Sequence, residues 1–288
     1  MLRGYLELLR PANVVTAIAD VLAGYAVAGR ANHPALPWLL GATACLYAGG
    51  VVLNDVFDRD LDATERPERP IPSGRVTAGR AAAFGGTLMA VGIVSASRAT
   101  SEAAWIAVTI AALAVLYDAR TKRYVIAGPV NMGLCRGFNL LLGLAAVPAA
   151  LAGHWPIAGL SVIYIAAVTT VSRGEVHGGK AGAAGFALIS LSGVLVALIG
   201  IALAAPDPGR IAAIALVLAL GYRVLPPFWR VRSDSRPEVI RRAVRAGVLS
   251  LVLVDGAIAA AYAGPVYAAA VLAIAFVAGS LARVFSVT

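Results

Sequence analysis

Apolar residues run through this chain in long unbroken blocks, with the polar residues gathered between them. Ten blocks lie near 12–29, 36–55, 79–97, 102–117, 126–150, 156–174, 182–205, 209–226, 246–262 and 265–284. Each, wound as a helix, is about long enough to cross the ~30 Å hydrocarbon core of a bilayer. Little more than Ala263-Gly264-Pro265 separates the last two. They are expected to form a tight helical hairpin, or one span followed by a re-entrant or surface helix. The pattern predicts an all-α, polytopic transmembrane bundle of nine to ten spans, built as a single domain over residues 1–288. The longest polar stretches, 58–80 and 230–245, fall between spans, and the second is expected to begin a cationic interfacial helix.

Composition supports the same reading. Hydrophobic residues make up 60% of the chain and charged residues 14%, against about a quarter charged in a soluble domain. Abundant Gly and Ala suit close packing of transmembrane helices. The net charge of +9 would suit a nucleic-acid partner, but its distribution argues for no nucleic acid and for the lipid bilayer instead. Of the 24 basic residues, 20 lie at the termini and in alternate connections, while Arg30, Arg98 and Arg210 mark the opposite side and Arg136 lies inside a span. The positive-inside rule then puts both termini and the polar motifs in the cytoplasm, as in a multi-pass protein of a bacterial-type inner membrane. Cys45 and Cys135 both fall in apolar spans and read as ordinary packing residues. The first span lacks a cleavage site and is read as a retained helix.

Chemistry concentrates at the end of the second span, in Asn54-Asp55-Val56-Phe57-Asp58-Arg59-Asp60-Leu61-Asp62, followed by Arg69-Pro70-Ile71-Pro72-Ser73-Gly74-Arg75. If the helix continues through the motif, Asp55, Asp58 and Asp62 share one face. Such a face repels itself unless a cation joins it. Carboxylates at this spacing suit Mg²⁺, which takes oxygen ligands and commonly bridges to phosphate oxygens. The motif therefore reads as a site for a magnesium-chelated phosphate or diphosphate at a membrane surface.

The same motif, with Leu9-Arg10-Pro11-Ala12-Asn13 before the first span, resembles the UbiA superfamily of intramembrane prenyltransferases. That resemblance implies a helical bundle around a central, laterally open cavity. It also implies two acidic motifs under a cytoplasmic cap, with Mg²⁺ bridging them to an isoprenyl diphosphate. Carried over by position, Asn54, Asp55, Asp58 and Asp62 match the first motif, and Arg69 follows it. Tyr117-Asp118-Ala119-Arg120-Thr121-Lys122 is similar to the family's tyrosine–lysine element, with Tyr117 and Lys122 as substrate contacts and the lysine displaced by one position. The chain departs from the family at the second motif, which reads Ser172-Arg173-Gly174-Glu175-Val176-His177-Gly178-Gly179-Lys180. Glu175 is its only carboxylate and a candidate Mg²⁺ ligand. Arg173 and Lys180 are candidate diphosphate contacts and His177 a candidate base. The element is similar to one in UbiA-like proteins of ebo-type gene clusters.

Ionisable residues inside spans are costly and default to functional hypotheses. Asp20, Arg136 and Asp255 are three. Arg136, Asn139 and Asn13 are expected at the polar end of the cavity. Asp20 or Asp255 is expected either to orient or deprotonate an acceptor, or to form a structural pair with Arg136. The leading functional expectation is Mg²⁺-dependent transfer of an isoprenyl chain from its diphosphate to a small-molecule acceptor, aromatic or a polar hydroxyl compound. The alternatives are a UbiA-type terpene cyclase or diphosphate lyase, and a non-catalytic isoprenoid-diphosphate-binding membrane protein.

Overall fold

The computed structural model describes residues 2–29, 34–175, 178–179 and 181–281. Twelve helices follow in chain order among them: α1 (Leu2–Leu9), α2 (Pro11–Val27), α3 (Leu36–Phe57), α4 (Arg59–Glu65), α5 (Ala78–Ser97), α6 (Ser101–Ala119), α7 (Ala127–Leu144), α8 (Pro148–His154), α9 (Ala158–Ser172), α10 (Ala181–Ala204), α11 (Gly209–Ser233) and α12 (Pro237–Leu281). Among the described residues, seven helical stretches are long and apolar enough to cross a membrane, and α2, shorter, is also apolar. The local signals explain the boundaries. Pro11 opens α2, where its missing N–H costs nothing. Thr77 and Thr100 cap α5 and α6, their hydroxyls accepting from Arg80 N and Ala103 N at 3.4 and 3.0 Å.

Two boundaries differ from the hydropathy pattern. The apolar block over 126–150 is cut, because Pro148 starts a new short helix after α7 has ended at Leu144. The polar stretch over 230–245 is mostly helical. α11 runs to Ser233 and α12 begins at Pro237, leaving only three residues between them.

α12 is broken at Gly264 (φ 84°, ψ 175°), directly before Pro265. Only glycine adopts this conformation at low cost. Beyond it the chain folds back: Leu272 lies against Gly256, eight residues on either side of the break. A straight helix would hold those two about 24 Å apart. The hairpin alternative is therefore the one seen. A Cβ on Gly264 would meet nothing within 4 Å, so Gly264→Ala tests backbone strain alone. It is expected to lower stability by about 1–3 kcal/mol, read as the thermal midpoint in detergent.

The helices form a closed circuit. α2 packs on α12, α7 and α3; α3 on α5 and α6; α7 on α6 and α9; and α9, α10, α11 and α12 follow one another around the other side. α2 and α7 cross in backbone contact. A Cβ at Gly24 would collide with the Leu140 carbonyl, and one at Gly143 with the Val21 carbonyl. Between α2, α3, α6 and α7 the bundle encloses a cavity of about 340 Å³.

Candidate active site

The acidic motif sits at the mouth of this cavity, and the chain bends there. α3 ends at Phe57, and Asp58 (φ −93°, ψ 4°) leads into α4. The helix does not run straight through the motif as the spacing suggested. Even so, Asp55 and Asp62 still share a side, because the Arg69 guanidinium bridges them at 3.3 and 2.7 Å. Arg10 joins Asp55 at 2.5 Å. Asp58 is turned toward the end of α6, where Lys122 of the following turn meets it at 2.5 Å. The Asn54 amide donates to Asp58 at 3.3 Å and to Asp118 at 2.8 Å, so it ties α3 to α6. Asp55, Asp62 and Asp118 are all buried. Four acids therefore converge with three cations and one amide at the head of the cavity.

Arg10 reaches this point from an unusual backbone. It has φ 44° and ψ 65°, left-handed for a non-glycine residue, at the junction of α1 and α2. Such a conformation persists only where the surroundings fix it; here the Asp55 ion pair and Pro11 do so. The segment after α4 is fixed in turn. Arg75 bonds Glu7 of α1 at 2.6 Å and the Glu68 carbonyl at 2.6 Å.

Below the acids the lining changes character. α6 contributes Ile110 and Ala114, while α7 contributes Arg136 and Asn139, with Thr43 and Tyr47 from α3 and Asn13 from α2. Behind that wall is a buried polar network. Asn139 donates to Asp20 and to the Ala17 carbonyl, each at 2.8 Å, and accepts from Thr43 at 2.7 Å. Arg136 Nε lies 3.0 Å from Asp20 Oδ2. Its N–H does not point along that line, so the contact is an ion pair without a hydrogen bond. Asp255, fully buried, adds a second carboxyl beside Asp20. The expected structural Asp–Arg pair is thus Asp20–Arg136.

Compared with known proteins, the chain matches the sequence pattern of the UbiA prenyltransferase family over residues 17–173. The chain belongs to the UbiA prenyltransferase family. Membership and the apolar helices together make it an integral membrane protein. Among relatives, it is 34% identical over 173 residues to a digeranylgeranylglyceryl phosphate synthase of Methanothrix thermoacetophila, covering 58% of this chain and 61% of that one. It is 36% identical over 144 residues to the enzyme of the same name from Methanopyrus kandleri, covering 50% and 53%. The chain thus spans about three fifths or less of the length of these relatives. A solved digeranylgeranylglyceryl phosphate synthase superposes with a TM-score of 0.66 at 22% identity, covering 91% of this chain and 98% of that one. A UbiA homologue from Archaeoglobus fulgidus, solved with GPP and Mg²⁺, gives 0.66 at 17%, covering 94% and 99%. At these identities the superpositions show a shared fold.

Against the family pattern, the structure gathers Asn54, Asp55, Asp58, Asp62, Arg69 and Lys122 at one point, and Asn13, Tyr117, Arg136 and Asn139 on the cavity wall. It does not bring Glu175 to them. That carboxyl is partly buried, and the charge beside it is Arg241 rather than a first-motif cation. Desolvation holds its pKa above the ordinary value, and the Arg241 charge of α12 opposes the shift. Arg173 differs from expectation too. Its guanidinium is occupied by the Lys122, Arg123 and Tyr124 carbonyls at 2.9, 3.3 and 3.4 Å, so it holds the turn that carries Lys122. Lys180 and His177 lie outside the described residues. Sequence reasoning missed two members of the site. Arg10 stood inside the quoted Arg-Pro element, and Asp118 follows Tyr117 at the end of an otherwise apolar span. A carboxylate in that position was the available signal.

Proposed function

We propose that this chain transfers an isoprenyl chain from its diphosphate to a hydroxyl-bearing acceptor, with Mg²⁺ as cofactor, and that residues 1–288 act as one domain. One observation carries the reading: Asp55, Asp58, Asp62 and Asp118 meet Arg10, Arg69 and Lys122 at the head of an intramembrane cavity. The donor set fits Mg²⁺ in kind, being carboxylates and a side-chain amide. Among the described residues no three His, Cys, Asp or Glu side chains close into a ready-made cage. That also fits, since Mg²⁺ is usually held by one or two carboxylates plus substrate phosphates. Asp55, Asp58, Asp62 and Asp118 would hold the ion; this reading leaves Glu175 out, since its charge neighbour is Arg241.

When bound, the ion stabilises negative charge on the leaving diphosphate. Arg10, Arg69 and Lys122 bind the same oxygens as the bond from prenyl C1 to diphosphate oxygen breaks. Asn54 fixes the angle between α3 and α6 carboxylates, and Arg173 fixes Lys122. Ile110 and Ala114 keep water from the allylic cation. The acceptor oxygen bonds to C1 and passes its proton to the departing pyrophosphate, which leaves. The relatives' name denotes a glyceryl phosphate carrying two geranylgeranyl groups. It favours an alcohol acceptor over an aromatic one. The charge distribution favours a cytoplasmic side for both termini and the acidic motif.

The test is pyrophosphate release by the purified protein from C10 to C20 isoprenyl diphosphates, with and without a polar-lipid extract as acceptor source. Release is expected only with extract, and EDTA is expected to abolish it. Release without any acceptor would turn the reading to cyclase or lyase chemistry. Mg²⁺-dependent diphosphate binding with no release at all would turn it to a binding protein.

A further inference from the structure

Among the described residues, Arg136 is the one cation lining the cavity that the diphosphate reading does not use. It lies on α7 five residues beyond Asn131, whose amide bonds Thr121 at 2.9 Å and so marks the level of the Lys122 turn. At 1.5 Å per residue Arg136 is roughly 8 Å deeper into the membrane. It is nine-tenths buried, lines the cavity, and stacks over the Tyr47 ring at 5.8 Å. Its Nε hydrogen meets no acceptor, and among the described residues neither Nη group is seen to donate a hydrogen bond. A buried guanidinium with its donors unmatched is costly unless a ligand completes it.

The charges around it restrict that ligand. Asp20 is ion-paired with Arg136, and Asp255 stands beside Asp20, both fully buried. The Asp20 carboxylate already balances the Arg136 guanidinium, so no positive charge is left over for an anion at this depth. Resting on the transferase reading, we propose that Arg136 is the acceptor-recognition residue and that it takes an uncharged oxygen: a hydroxyl, ether or carbonyl. The two walls then divide the substrates. The apolar Ile110 and Ala114 of α6 face the prenyl chain, and the acceptor lies along α7. An acceptor with a charged headgroup keeps that group at the membrane face and presents its neutral linkage to Arg136.

Two probes of equal chain length separate the charge classes: 1-O-hexadecylglycerol, uncharged, and palmitate, an anion. Binding is read as the ligand-induced rise in the thermal midpoint of the purified full chain, with geranyl diphosphate plus Mg²⁺ measured in parallel. The variants are Arg136→Lys, which keeps the charge and loses the fork, and the double Asp20→Asn/Arg136→Gln. The double removes the pair together, so it decides the matter if the single variant fails to fold. Hexadecylglycerol affinity is expected to fall about tenfold or more in either variant, while palmitate binding is weak and independent of Arg136. The geranyl diphosphate shift is expected to persist in both. The proposal is overturned by hexadecylglycerol binding that ignores Arg136, by preference for palmitate, or by no hexadecylglycerol shift in the unaltered protein. Loss of the geranyl diphosphate shift in the unaltered protein would count against the transferase reading instead.

Discussion

Asp55→Asn and Asp58→Asn are each expected to lower Mg²⁺-dependent pyrophosphate release by about a thousandfold. The two acids serve different parts of the site. Asp55 anchors Arg10 and Arg69 on the α1–α4 side, and Asp58 anchors Lys122 on the α6 side. Amide replacement keeps shape and removes the negative charge each presents. Asp118→Asn tests one of the two residues that sequence reasoning missed. It leaves the first motif intact and is expected to cost at least tenfold, since it loosens the Asn54 link between α3 and α6. Asp60→Asn is the control. Its side chain is 91% exposed and touches only Arg59, so activity is expected within about twofold of the starting protein, in line with the small worth of exposed ion pairs. Equal losses in Asp60→Asn and Asp58→Asn would mean that general charge, and not position, carries the effect.

Gly143→Leu is expected to prevent the bundle from assembling. A Cβ there overlaps the Val21 carbonyl and crowds Tyr25 N, and the reciprocal contact exists at Gly24 against Leu140 and Leu144. Both clashes are with backbone, which has no rotamer through which to yield. Overpacking commonly costs about 1–3 kcal/mol. A helix-to-helix backbone clash belongs at or beyond the upper end, enough to remove most of a typical margin of stability. Moreover, α2 and α7 carry Asp20, Arg136 and Asn139 across the same crossing, so forcing the helices apart also strands buried charge. The comparison is Gly193→Ala on α10, where a Cβ meets nothing within 4 Å. There the gain in helix propensity is expected to be neutral or slightly stabilising. Thermal midpoints and the yield of monodisperse protein in detergent read both variants. A folded, normally stable Gly143→Leu protein would contradict the α2–α7 crossing.

The sequence displayed its membrane character and its first acidic motif because each rests on local signals. Span length follows from a run of apolar residues, and an acidic face follows from spacing along one helix. Asp20–Arg136 was legible as a possibility because charge inside a span demands a partner. What spacing did not reveal was which cations would reach which acids. Arg10 and Arg69 lie 45 and 14 residues from Asp55, and Lys122 lies 64 from Asp58. Those pairings depend on how helices are arranged, not on any one helix. The carbonyl partners of Arg173 were hidden for the same reason: a free guanidinium and one bonded to three carbonyls look alike in sequence. The hairpin at Gly264 was legible, since Gly-Pro marks a break, but only the packing of Leu272 on Gly256 chose between the alternatives.

The ion pairs at the cavity mouth also bear on the order in which ligands enter. As built, this end of the protein is electrically closed: every first-motif acid except the exposed Asp60 has a cation or an amide on it. A diphosphate arriving alone would draw Arg10, Arg69 and Lys122 away and leave the acids bare. A divalent metal arriving alone would displace those same side chains and leave them bare. Only the two together exchange one complete set of opposite charges for another. Linkage then makes metal and diphosphate mutually reinforcing, each raising the other's affinity by the same factor.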